Sequence, residues 1–145
     1  MDLDFETAVR EVNRAIREER LQVLARIDVR DELYRHQRHL FRQYLIIEAW
    51  SPDLAVKTLA RHLDAGLMLP TRVVLHELAS GETAVLTSEP LSPLASHPRW
   101  REDFPGLADI ADEERGRIAR VLDRVRHSTS RGSAHVAASR ESPLT

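Results

Sequence analysis

Apolar positions along this chain recur first at three and four residues and then at two, and the change of period divides it into elements. Phe5, Ala8, Val9, Val12, Ala15 and Ile16 repeat at helical spacing, opposite Arg10, Arg14, Arg17, Glu18 and Arg20, which predicts an amphipathic helix. Asp4 stands where a carboxylate accepts from the free amides of the first turn, and Glu6 where the helix dipole favours negative charge. From residue 21 to 28 the period falls to two. Leu21, Val23, Ala25 and Ile27 alternate with Gln22, Leu24, Arg26 and Asp28, so a strand is expected with the first set on one face. Residues 30–40 are polar and read as a short helix or an irregular link. Residues 43–49, centred on Tyr44-Leu45-Ile46-Ile47, are apolar at both parities. A strand of that kind is expected to be central and covered on both sides, with the helices as one candidate cover and a second subunit as the other.

Ser51-Pro52 opens the next helix, with serine as the cap and proline at a position that needs no donor. Leu54, Ala55, Thr58, Leu59, His62 and Leu63 form its stripe. Gly66 is expected to end it in the left-handed conformation, and Pro70 bars continuation. Residues 71–78 and 83–88 read as strands joined by Ala79-Ser80-Gly81-Glu82, a hairpin signal. Residues 89–105 hold Pro90, Pro93, Pro98 and Pro105 with Trp100 and Phe104 as anchors, and read as an ordered loop. Leu107, Ile110, Ala111, Glu114, Ile118, Val121, Leu122 and Val125 mark a C-terminal helix, which Gly116 weakens by ~1 kcal/mol relative to alanine. Residues 128–145 are nearly free of large apolar side chains and are expected to be a disordered tail, leaving residues 1–127 as a single α+β domain.

Composition narrows the chemistry. The chain has 145 residues, enough for one domain with a substantial core. It contains no cysteine, so disulfides, thiolate metal sites and cysteine nucleophiles are excluded, in keeping with a cytoplasmic protein. No leader pattern opens the sequence, and no apolar run approaches the ~20 residues that span a bilayer. A net charge of -2 offers no global field for nucleic acid or membrane.

Several constellations carry residue types suited to chemistry. His36 and His39 are three apart and, with Glu48 or His62, have the residue types of a metal site or of another enzyme centre; a solvated helix face is the preferred reading because the pair lacks any stronger ligand spacing, and no cofactor or metal is expected. Ser51, Asp53 and His62 contain triad residue types without the glycine-flanked turn that a serine nucleophile needs. Glu113-Glu114 lies in a charged stretch with no sign of apolar surroundings. Arg115, Arg117, Arg120, Arg124 and Arg126 alternate with acids and read as a salt-bridged face. Only five glycines are present, and none form a phosphate loop.

Taken in order, Ala25-Arg26-Ile27-Asp28-Val29, then Pro52, Ala55 and Leu59, then Leu67-Met68-Leu69-Pro70 with Val73-Val74-Leu75 and Glu77, then Glu89-Pro90, resemble the domain of unknown function 302 family. The resemblance covers roughly residues 3 to 127. It implies a TATA-binding-protein-like α+β fold, an antiparallel sheet of about four to five strands with helices packed on one face, and a homodimer. Glu48 and Trp50 stand where that family has a small residue and a cysteine, Thr71 replaces a second cysteine, and Arg20 replaces a glycine before the first strand. Thiol chemistry is therefore excluded for this chain.

One cluster remains as a candidate ligand site: Glu48, Trp50, Ser51, Thr71, Arg72, His76 and Glu89, at strand ends beside a helix start, where a small anion would find a helix amino end, a tryptophan and an arginine. The expected function is that of a non-catalytic homodimeric domain binding a small ligand or a partner protein. The alternatives are an enzyme using His36, His39 or His62, and an adaptor docking through the C-terminal helix and tail.

Overall fold

The structure is a computed structural model and describes residues 2–89 and 91–138. Asp4 caps the first helix, α1 (Phe5–Glu18), its carboxylate accepting from the Thr7 amide at 2.9 Å. Ala8, Val12, Ala15 and Ile16 are buried, as their spacing requires. The joint to the first strand is made by Arg20 in the left-handed region (φ 61°), a conformation that suits glycine better than any L side chain.

Strands β1 (Gln22–Asp28), β2 (Tyr44–Trp50), β3 (Thr71–Glu77) and β4 (Thr83–Thr87) form one antiparallel sheet in that order, a meander. Gly81, at φ 86°, makes the β3–β4 turn. Ile47, Val73 and Leu75 point to the inner face and are fully buried there by α1 and by the long helix α6 (Leu107–Ala138), which contributes Ile118, Val121 and Val125. The α+β class and the placement of helices over one face thus agree with the sequence reading.

Four details differ from it. In β1 the register to β2 shifts between Val23 and Ala25, a β-bulge at Leu24. Val23 packs on the core, but the extra residue turns Ala25 and Ile27 to the outer face. For residues 30–40 the helical alternative of the sequence reading is the one observed, as α2 (Val29–Gln37), capped by Asp28 and ended by Arg38 at φ 52°. Helix α3 (Pro52–Leu59) is shorter than its stripe implied; a 3-10 helix follows over Leu63–Leu67, so Gly66 lies within a helical turn and not in the left-handed region. The proline-rich stretch folds as two short helices, α4 (Leu91–Ser96) and α5 (Pro98–Asp103), because prolines at first-turn positions start helices as readily as they break them. Helix α6 continues past His127 to Ala138, through part of the stretch read as a tail; residues 139–145 lie outside the described residues.

On the outer face, register aligns Ile27 with Ile46, Ile46 with Val74, and Val74 with Leu86. One apolar row thus crosses all four strands. Its ends are open to solvent: Ile27 is 37% and Leu86 51% exposed. Charged and aromatic pairs flank it. Arg72 meets Glu48 at 3.5 Å on one side, and His76 stacks on Tyr44 on the other, with ring centroids 5.5 Å apart.

An ion-pair lattice ties α6 to the rest. Arg120 and Arg124 both bind Glu19 at 2.7 Å, and Arg124 also reaches Glu18. Arg117 grips Asp53 with two hydrogen bonds of 2.8 Å and Glu113 with a third of 2.7 Å. These pairs anchor α6 to the end of α1 and to the start of α3.

Candidate functional site

The last register pair between β2 and β3 is Ala49 with Thr71, one residue before β2 ends at Trp50. Here the chain leaves the sheet into α3, and α4 and α6 close over the gap. Six of the seven residues singled out in the sequence gather at this end of the sheet; His76 does not, being near the far end of β3 against Tyr44. Glu48 and Arg72 pair on the outer face. Trp50 donates its indole N–H to Gln22 at 3.2 Å. Glu89 pairs with Arg115 of α6 at 3.3 Å.

The inner part of this cluster is built around a residue that the sequence reading placed in solvent. Glu114 is 6% exposed and accepts a 2.6 Å hydrogen bond from the Thr71 hydroxyl, which is itself buried. Burial pushes its carboxyl above the usual glutamate range; the Thr71 bond opposes this, and the nearby charge of Glu89 adds to it. A signal for its burial existed. Glu114 follows Ala111 by three residues and precedes Ile118 by four, so it sits in the apolar stripe of α6 despite its charged neighbours.

Ser51 differs from expectation in its side chain. Its carbonyl accepts the Ala55 amide, as a residue at a helix start should, but its hydroxyl makes no capping bond. The residue is 3% exposed, and its Oγ has no partner among the described residues. It faces a small enclosed space walled by Trp50, Leu54, Ala55, Leu69 and Leu91, with Thr58 and Glu114 as the other polar lining. Thr58 is fully buried and spends its proton on the Leu54 carbonyl at 2.8 Å.

The residues of the rival readings lie apart. His36 pairs with Glu32 on α2 at 3.2 Å. His39 follows that helix, its ring 6.1 Å from that of Phe41. His62 packs between Trp100 and Phe104, with ring centroids 4.7 and 5.4 Å away. Asp53, which a triad would need, is held by Arg117, whose hydrogen bonds lower its pKa to about 2. Among the described residues no three histidines, aspartates or glutamates converge as a metal site would require. No helix is long and apolar enough to cross a membrane, among the residues described.

A meander of four strands with two helices on one face, closed at one end around a buried acid, defines a small α+β domain. The chain belongs to the family described as domain of unknown function DUF302, whose model matches residues 1–125. It is similar to the crystal structure of an uncharacterized conserved DUF302 protein from Bacillus stearothermophilus, with a TM-score of 0.71 and 22% sequence identity over 85% of this chain and 91% of that one. That likeness speaks to the fold. No curated protein matches the chain.

Proposed function

We propose that the protein is a non-catalytic, cytoplasmic homodimeric domain that binds a small ligand or partner at the Trp50 end of its sheet. The apolar row Ile27, Ile46, Val74 and Leu86 carries this reading. It spans the outer face without interruption, while the inner face already supplies the core of the fold. Sheet faces of this kind pack on one another about 10 Å apart, with their inward residues interdigitated, and a two-fold axis brings identical rows together. Glu48 and Arg72 then lie where opposite charges of two protomers come within reach. The ligand part of the reading rests on Trp50, Ser51, Thr71, Arg72 and Glu89 sharing one end of the sheet with a buried acid. The dispersal of His36, His39 and His62, and the engagement of Asp53 by Arg117, favour binding over catalysis.

Sizing by light scattering at micromolar concentration is expected to give about twice the 16.6 kDa chain mass. Ile46→Glu is expected to halve that mass while leaving the circular dichroism spectrum intact. A wild-type protein that runs as a clean monomer removes the dimer.

A further inference from the structure

The unpartnered Ser51 hydroxyl, two other buried polar side chains and an enclosed space of the right size occur together. We infer that Ser51, Thr58 and Glu114 form an internal site for one neutral, water-sized hydrogen-bonding group. This deepens the ligand part of the function proposed above and is independent of dimer formation.

A hydroxyl removed from water without a partner is destabilising, and native proteins resolve such cases with a protein group or an ordered guest. Ser51 had an ordinary solution available, since a serine at this position can cap α3. Its Oγ makes no such bond and instead borders the space that Glu114 also lines. That space leaves about 10 Å³ for a guest, near the least volume that holds a single water. A buried water also needs two to four polar partners. Three polar side chains line the space, and all are more than nine-tenths buried: Ser51, Thr58 and Glu114.

Electrostatics select the guest. Glu114 has the Thr71 hydroxyl on one oxygen and, among the described residues, no ion-pair partner, and Arg72 and Arg115 are engaged by Glu48 and Glu89. An anion in this space would lie against a carboxyl group in apolar surroundings, with no arginine or lysine among the residues that line it. A neutral group that both donates and accepts fits: it can donate to Thr58 or to a Glu114 oxygen and accept from Ser51. Two sources share this chemistry, a resident water and the terminal hydroxyl of a ligand whose body lies beside Trp50 and Leu69.

A crystal structure of the intact protein at about 1.3 Å resolution, grown without small alcohols or polyols, tests the site. One density peak is expected within hydrogen-bond distance of both Ser51 Oγ and a Glu114 oxygen. An isolated round peak identifies water, and density continuing past Trp50 identifies a ligand hydroxyl. Ser51→Ala is expected to empty the site and lower Tm by about 2–4 °C, the shift of a modest loss in a domain of this size. Glu114→Gln is expected to keep the peak, because the amide oxygen still accepts a hydrogen bond at the same place. An empty space in the wild type, or a Ser51 hydroxyl turned back onto the amides of α3, overturns the inference, as does a peak that persists unchanged in Ser51→Ala. None of these results bears on the dimer, which sizing decides separately.

Discussion

The two faces of the sheet use the same strands and comparable side chains, yet they have different fates. Ile47 and Val73 on the inner face are fully buried; their neighbours Ile46 and Val74, one residue away along each strand, face outward and are only partly covered. Alternation normally assigns one face to the core and one to water. Here both faces carry a continuous apolar set, so folding buries one and leaves the other only partly covered. The contrast shows that hydrophobicity alone does not mark the interior. What marks it is which set the covering helices can reach.

The largest effect expected from this contrast is a pair of truncations. Leu75→Ala, on the inner face, should cost about 2–5 kcal/mol, because a fully buried leucine leaves a cavity that its neighbours only partly fill. Leu86→Ala, on the outer face, should cost under about 1 kcal/mol when urea unfolding is followed at protein concentrations low enough to keep the chain monomeric. Equal costs at such dilution would mean that the outer face is already covered within one chain.

A middle-sized effect separates core burial from the ion-pair lattice. Arg117→Ala should cost about 1–2 kcal/mol, since the guanidinium is largely buried while its carboxylate partners stay half exposed and screened. Its pH dependence has a definite sign. The folded pKa of Asp53, about 2, lies below the ordinary 3.8, so the pair stabilises above that ordinary value and is lost as pH falls from about 3.8 toward 2. Glu114 acts in the opposite sense: its folded pKa is raised, so its ionisation penalises the native state as pH rises from its ordinary value of 4.5. Urea titrations across pH 2 to 7 should show the acid limb flattened in Arg117→Ala. An unchanged limb would assign acid sensitivity elsewhere.

The smallest effect sits at the joint between covering helix and sheet. Arg20→Gly should raise stability by about 0.5–1 kcal/mol, because glycine takes φ 61° without a Cβ clash. A loss would mean that the arginine side chain contributes more than its backbone conformation costs.

Much of this architecture was legible in the sequence. The stripe of α1 and the apolar runs of β2 and β3 are strong periodic signals, and Asp4 caps as its position implied. The bulge at Leu24 was not legible, because one inserted residue leaves composition unchanged and only the pairing partner reveals the slip. Prolines hid α4 and α5, since the same residue that ends one helix starts another. Of the candidate site, the gathering of Trp50, Ser51, Thr71 and Glu89 was legible from their places at strand ends. Glu114 was missed because its charged neighbours outweighed its helical spacing, and His76 was included although a strand of this length carries it away from the others.

The kink in β1 has one more consequence. An exposed outermost strand with straight, unsatisfied amides and carbonyls invites any passing chain to zip alongside it and so begin a fibril. By breaking the ladder early along its length, the irregularity at Leu24 spoils that template and leaves the flank a poor mould for a fifth ribbon. Open-ended growth along that flank is thereby disfavoured.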